Sequence, residues 1–352
     1  MSDDEVGPGD GFPVTRRALL SAAAGTAVTA GAGCAEITTP ADVADAGLSY
    51  ANMEHVVDAA WTAEHRGDVA VLDARPRSAF RTERIYGARC PRFDGERSLT
   101  TRRETDRGLV PDADAIAAAL GDAGLRPDDD VVVYGASVGA RVTRLVFALD
   151  YVGHRGSVSV MTGGFESWPG RVGTGDRQPD PADYAPDPNP DRVVTRSWLA
   201  DHLTAVADDG PALIDVRAPA AYLADAGSPE LVAENDRHGH VPGAVNVHWI
   251  GNLGGRRLKP ADELATLYFA SQADVAQDET VVVYSQDNVN ATNTYLVLRS
   301  LGVSDVRVYE GGFGEWADAG DDCCPVETKT TAVVETEGEV SGGSSGSFSC
   351  TG

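Results

Sequence analysis

A run of three valines and a tyrosine occurs twice in this chain, as Val131-Val132-Val133-Tyr134 and as Val281-Val282-Val283-Tyr284. Continuous β-branched runs of this kind suit central strands covered on both faces. The copies lie about 150 residues apart, and a period that long means duplicated domains, not a solenoid. Other features keep the same step. Val69 to Leu72 closes on Asp73-Ala74-Arg75, and Ala212 to Ile214 closes on Asp215-Val216-Arg217, each reading as a buried strand that ends in a loop. Ile85-Tyr86-Gly87-Ala88 and His240-Val241-Pro242-Gly243-Ala244-Val245 follow. Apolar residues at three-and-four spacing then predict helices over 113–120 and 261–267, and again over 143–149 and 293–301 behind the valine runs. The copies close alike, on Gly163-Gly164-Phe165-Glu166-Ser167-Trp168 and Gly311-Gly312-Phe313-Gly314-Glu315-Trp316. Strands alternating with helices predict an α/β fold, in which each copy is a mostly parallel sheet flanked by helices on both faces.

The chain of 352 residues is long enough for two such domains, and its 42% hydrophobic composition supplies two cores. The copies are expected over 49–170 and 193–318. Between them, residues 171–192 are Pro- and Asp-rich and read as a semi-extended connector, while 319–352 form a Cys-containing Gly/Ser-rich tail expected to be disordered from 325 onward. Lys and Arg number 29 against 54 Asp and Glu, a formal net charge of -25. The acidic residues are scattered rather than gathered in one tail, the pattern of a salt-adapted, haloarchaeal protein, and they exclude nucleic acid and anionic membrane surfaces as partners. A monomer is expected.

The first 33 residues read as an address and not as part of the fold. Arg16-Arg17 precede the weakly apolar, Ala-rich run Ser21 to Ala30, a twin-arginine type of signal that predicts export to the cell surface. It ends in Gly31-Ala32-Gly33-Cys34, where Cys34 is a candidate for lipid modification; plain cleavage is the other reading, and 34–48 would then be a linker. The only membrane contact expected is through a lipid on Cys34.

The ordered set of Asp-x-Arg, His-Val-Pro-Gly-Ala-Val, Val-Val-Val-Tyr, Thr294-Tyr-Leu-Val-Leu-Arg299 and Gly-Gly-Phe-x-x-Trp resembles the two-domain rhodaneses, the thiosulfate and mercaptopyruvate sulfurtransferases, across residues 49–318. That resemblance implies a small sulfur-containing anion or thiol acceptor as partner, with neither cofactor nor metal. It also implies a catalytic cysteine directly after the tyrosine of the second copy and an arginine five residues later. Here the loop reads Ser285-Gln286-Asp287-Asn288-Val289-Asn290. The nucleophile position is therefore Ser285, the arginine position is Asn290, and the family's second pocket arginine aligns with Ala221. Asp215 and Arg217 take supporting roles. The first copy has Gly135 after its tyrosine, in keeping with the family's inactive first domains. Sulfur relay needs a persulfide that exchanges with thiols, which an alkoxide does not provide, so ordinary turnover is expected to be weak or absent. Three readings stay open: a sulfurtransferase with lost activity or an unusual thiol, a non-catalytic anion- or protein-binding module, and a Ser285-dependent hydrolase drawing on His238 or His240.

The other cysteines do not form a disulfide framework. Cys90 reads as a small buried residue. Cys323 and Cys324, with Cys350, allow a tail disulfide, a soft-metal site or a redox site.

Overall fold

The computed structural model describes residues 53–93, 101–102, 107–109, 112–207, 210–226, 235–276, 279–287, 289–328, 333–334 and 336. The first copy holds a four-stranded sheet of β1 (Val56–Val57), β2 (Ala70–Asp73), β3 (Val131–Tyr134) and β4 (Val158–Met161), in the order β1-β4-β3-β2 with every pairing parallel. The second is built from β5 (Val193–Val194), β6 (Ala212–Asp215), β7 (Val245–Asn246), β8 (Thr280–Tyr284) and β9 (Asp305–Tyr309), also parallel, in the order β7-β6-β8-β9-β5. The two orders are the same once the added edge strand β7 is set aside. In the first copy a single bridge between Leu72 and Arg89 holds that edge place. Register repeats as well, for Asp73 stands beside Tyr134 as Asp215 stands beside Tyr284.

Both faces of each sheet are covered, which is why the valine runs are apolar throughout instead of alternating. Val131 and Val133, with Val281 and Val283, face one core that is continuous across both domains. Val132 and Tyr134 face a second core, and Val282 and Tyr284 a third. The shared core is made largely by α3 (Ala113–Asp122), α4 (Ala140–Tyr151), α7 (Ala261–Phe269) and α8 (Ala291–Ser300). The outer faces carry α1 (Ala59–Glu64) and α2 (Arg77–Thr82) in the first domain. In the second they carry α5 (Arg196–Ala207), α6 (Pro219–Tyr222) and α9 (Gly312–Asp318).

The domains meet through α4 and α8, the helices that follow the two valine runs. Phe147 packs edge-on against Tyr295 with ring centroids 5.0 Å apart, Thr143 and Thr292 hydroxyls lie 2.9 Å apart, and the Tyr295 hydroxyl donates to Asp150. A buried ion pair between Arg144 and Glu310 spans the same interface. Asn293 Nδ2 donates to the carbonyl of Val138 at 2.8 Å, tying the helix behind one loop to the corresponding loop of the other copy.

Two segments are more firmly held than their composition suggests. The connector is extended yet bound to the first domain, where the amides of Ala182, Asp187 and Asn189 donate to the carbonyls of Gly121, Val152 and Tyr151. The described residues of the tail depart from the expected disorder. Glu327 pairs with His240, and Val333 bridges Asn246, so the described part of the tail extends the exposed edge of the second sheet. An open β-edge offers unpaired N–H and C=O groups, and the tail satisfies some of them.

Candidate functional site

Three motifs that are far apart in sequence meet at the carboxyl ends of β6 and β8. Asp215 ends β6, and its carboxylate takes Arg217 Nε at 3.0 Å and Nη2 at 2.5 Å. Arg217 Nη2 also donates to the Gly239 carbonyl at 2.7 Å, and its guanidinium lies 3.8 Å from the centre of the Phe313 ring. The Tyr284 phenol is pushed well above its ordinary range, first by burial and then by the Asp215 charge, and it accepts the Val241 amide at 3.2 Å. The first domain repeats this knot. Asp73 holds Arg75, the guanidinium stands 3.9 Å from Phe165, Tyr134 donates to Asp73, and its hydroxyl accepts the Ile85 amide at 3.2 Å. A domain with glycine after its tyrosine keeps the same knot, so the Asp215–Arg217 pair occurs independently of a functional group at the position after the tyrosine.

The loop lies directly over this support. Ser285 follows Tyr284 and is 1% exposed, and its Oγ makes no hydrogen bond among the described residues. Its carbonyl accepts the Phe313 amide at 2.8 Å, and the Gln286 carbonyl accepts the Gly314 amide at 3.0 Å. Gly312, at φ +64°, makes that approach possible: a Cβ there would stand 2.7 Å from the Gln286 carbonyl oxygen and 2.8 Å from that of Ser285. The Gln286 side chain pairs reciprocally with Asn235, Nε2 donating to Asn235 Oδ1 at 2.7 Å and Asn235 Nδ2 returning at 3.4 Å. Asp287 Oδ1 accepts the Val289 amide at 3.3 Å. Asn290 occupies the N-cap of α8 without a side-chain capping bond. Asn288 and Cys34 lie outside the described residues.

These contacts define the local chemistry. The N-terminus of α8 favours negative charge and leaves amides unpaired within the helix, and just before it the Asp287 carboxylate accepts the amide of Val289. Arg217 is committed to Asp215. The two histidines considered as bases are not bonded to Ser285. His240 is stacked on Tyr222 at 3.7 Å with Nδ1 2.9 Å from the Tyr222 carbonyl, and burial holds its pKa down. His238 Nδ1 is buried without a partner. Among the described residues no group of three or more His, Cys, Asp or Glu is gathered as a metal site, and no helix is long and apolar enough to cross a membrane.

Comparison with known proteins decides the family. The rhodanese-like domain model matches twice, over residues 57–170 and 195–319. The chain belongs to the rhodanese family. It is 31% identical over 224 residues to a thiosulfate sulfurtransferase of Pseudomonas aeruginosa, covering 62% of this chain and 78% of that protein. It is 28% identical over 286 residues to the 3-mercaptopyruvate sulfurtransferase of Escherichia coli, covering 77% and 97%. A putative thiosulfate sulfurtransferase of the haloarchaeon Haloferax volcanii is 30% identical over 206 residues, covering 56% and 70%. Among solved structures, the Escherichia coli 3-mercaptopyruvate sulfotransferase SseA superposes with a TM-score of 0.60 at 26% identity, over 73% of this chain and 98% of that one.

Within this rhodanese pair, the expected site residues Asp215, Arg217, Ser285, Gln286, Asp287, Val289 and Asn290 gather at one end of the second sheet. Ala221 stands on α6 and is 6% exposed, so an arginine placed there would be largely buried. Sequence reasoning missed Asn235, which sits in a segment without periodicity and meets Gln286 only through the fold. It also missed the close contact of Gly312, whose only signal was the recurrence of Gly-Gly-Phe at the end of both copies.

Proposed function

We propose that the chain is an exported rhodanese-family relative of the thiosulfate and 3-mercaptopyruvate sulfurtransferases that retains the site loop but does not relay sulfur through it. Ser285 stands at the persulfide-forming position in this reading. The observation that carries it is the Ser285 hydroxyl, buried, unbonded and with no histidine as a base. A serine needs a neighbouring base to become a nucleophile, and an oxygen adduct of sulfur does not exchange with thiols as a persulfide does. The anion-binding side is weakened too. Asp287 accepts a loop amide and adds negative charge, while Asn290 and Ala221 stand where the family's arginines would offset a doubly charged donor.

The loop nevertheless stays built, with its carbonyls held by Phe313 and Gly314. This favours a ligand-binding module for a small sulfur-containing or otherwise polar molecule over a collapsed remnant. The test is thiosulfate-to-cyanide sulfur transfer by the purified protein before and after thiol alkylation. We expect no turnover above background in either sample. Alkylation-sensitive turnover would overturn the reading by showing that another thiol carries sulfur, and alkylation-resistant hydrolysis of an ester would instead favour a serine hydrolase.

A further inference from the structure

The junction between α9 and the tail carries two adjacent cysteines outside the site loop. Cys323 is exposed and Cys324 is buried, with their sulfur atoms 3.0 Å apart. The turn that bears them is pinned. The amides of Cys323 and Cys324 both donate to the Gly320 carbonyl, at 3.3 and 3.0 Å. Arg237 spans the turn, donating to the carbonyls of Cys324 at 2.9 Å, Trp316 at 2.8 Å and Ala317 at 2.9 Å. Trp316 Nε1 donates to the Pro325 carbonyl at 2.8 Å just beyond. Cys324 itself belongs to the core of Tyr309, Phe313 and Trp316.

We propose that Cys323 and Cys324 form a dithiol site for an uncharged trivalent metalloid hydroxide of the arsenite type, held as a chelate.

Three features select that ligand. First, neighbouring Cα atoms across a trans peptide lie about 3.8 Å apart, below the roughly 4.4 Å at which disulfide geometry begins. The pair is therefore better suited to bridging a third atom than to closing on itself. Second, the sulfur separation fits a small bond angle. With sulfur-to-centre bonds of about 2.3 Å, sulfurs 3.0 Å apart subtend about 80°, nearer the near-right angles of a pyramidal trivalent centre than a tetrahedral or linear arrangement. A tetrahedral zinc would spread them to about 3.8 Å and a linear cation to about 4.6 Å. Third, the Cys324 sulfur lies in the apolar core with Tyr309, Phe313 and Trp316, a setting that suits an uncharged ligand better than a bare cation. Condensation with a metalloid hydroxide brings in no net charge. Two metalloid–oxygen bonds break, two metalloid–sulfur bonds form, and each thiol proton leaves with a hydroxide as water, with no change of oxidation state. Asp318 and Asp322 flank the pair in sequence, and Asp321 is already paired with Arg237; these carboxylates oppose an anion and leave a neutral hydroxide unaffected.

The probe is phenylarsine oxide, added to the reduced full-length chain and followed by intact mass. We expect one adduct per chain that survives excess glutathione, a monothiol, and is removed by 1,2-ethanedithiol. Cys323→Ser, at an exposed position, should abolish the glutathione-resistant adduct while leaving the circular dichroism spectrum unchanged, and Cys324→Ser should abolish it too. Cys90→Ser and Cys350→Ser should keep it. Absence of the adduct in the parent, its survival in Cys323→Ser, or its loss in Cys350→Ser would each overturn the proposal.

Discussion

Ser285 and Gly135 occupy the same place in the two copies, each directly after a buried tyrosine whose hydroxyl accepts a backbone amide. The comparison separates support from chemistry, because the Asp-Arg-Tyr-Phe knot is present under both residues while only one of them has a functional group. If position 285 is a site poised for a thiolate, the poise should survive in the backbone even though the thiol is gone. Ser285→Cys is therefore expected to alkylate faster than Cys90 at neutral pH. Burial pushes Cys90 up to about 11 and acts in the same direction at the equally buried position 285, so the difference in rate reads the effect of the α8 N-terminus, which favours a thiolate. Iodoacetamide labelling followed by peptide mapping reads both rates in one sample, and an equal or slower rate at 285 would show that the helix end does not act on that position. Asn290→Arg is the companion substitution of choice, since Asn290 is partly exposed whereas Ala221 is buried. A charge forced in at Ala221 without a partner would cost several kcal/mol.

The elements were legible in the sequence where burial is two-sided or helical spacing is long. Val131–Tyr134 and Thr280–Tyr284 are strands, as short β-branched runs suited to a doubly covered sheet indicate. The helices over 113–122 and 261–269 appear where the three-and-four spacing put them. The tail strap was not legible. It consists of a backbone bridge at Glu327 and another at Val333, and a Thr-, Glu- and Gly-rich segment carries no pattern for pairing with a distant edge. The candidate site loop was legible only through family resemblance, and the pairing of Gln286 with Asn235 depends on tertiary approach. Gly312→Ala is expected to destabilise the protein by about 1–3 kcal/mol, through a left-handed backbone and a Cβ pressed on the Ser285 and Gln286 carbonyls. Gly67→Ala, with nothing within 4 Å of its Cβ, should change stability little. Urea midpoints of the two variants decide it, and equal midpoints would mean that the loop moves aside freely.

At the scale of the whole molecule, a net charge of -25 surrounds a core that is continuous across both domains. Self-repulsion opposes the compact state, and salt shortens its reach from about 30 Å at 0.01 M to about 3 Å at 1 M. The melting temperature should therefore rise across that range, and a flat response would mean that the acidic surface is no adaptation to salt. The same charge bears on the proposed function, since a dianionic sulfur donor would meet an acidic protein at a loop containing Asp287. The central claim is that this rhodanese does not carry sulfur on its site loop. It is tested most directly by incubating the parent and the Ser285→Cys, Asn290→Arg double variant with thiosulfate and weighing the peptide that contains residue 285. The account predicts no added sulfur on the parent peptide and one added sulfur atom on the variant, released by cyanide. A cyanide-releasable sulfur on the parent peptide would contradict it.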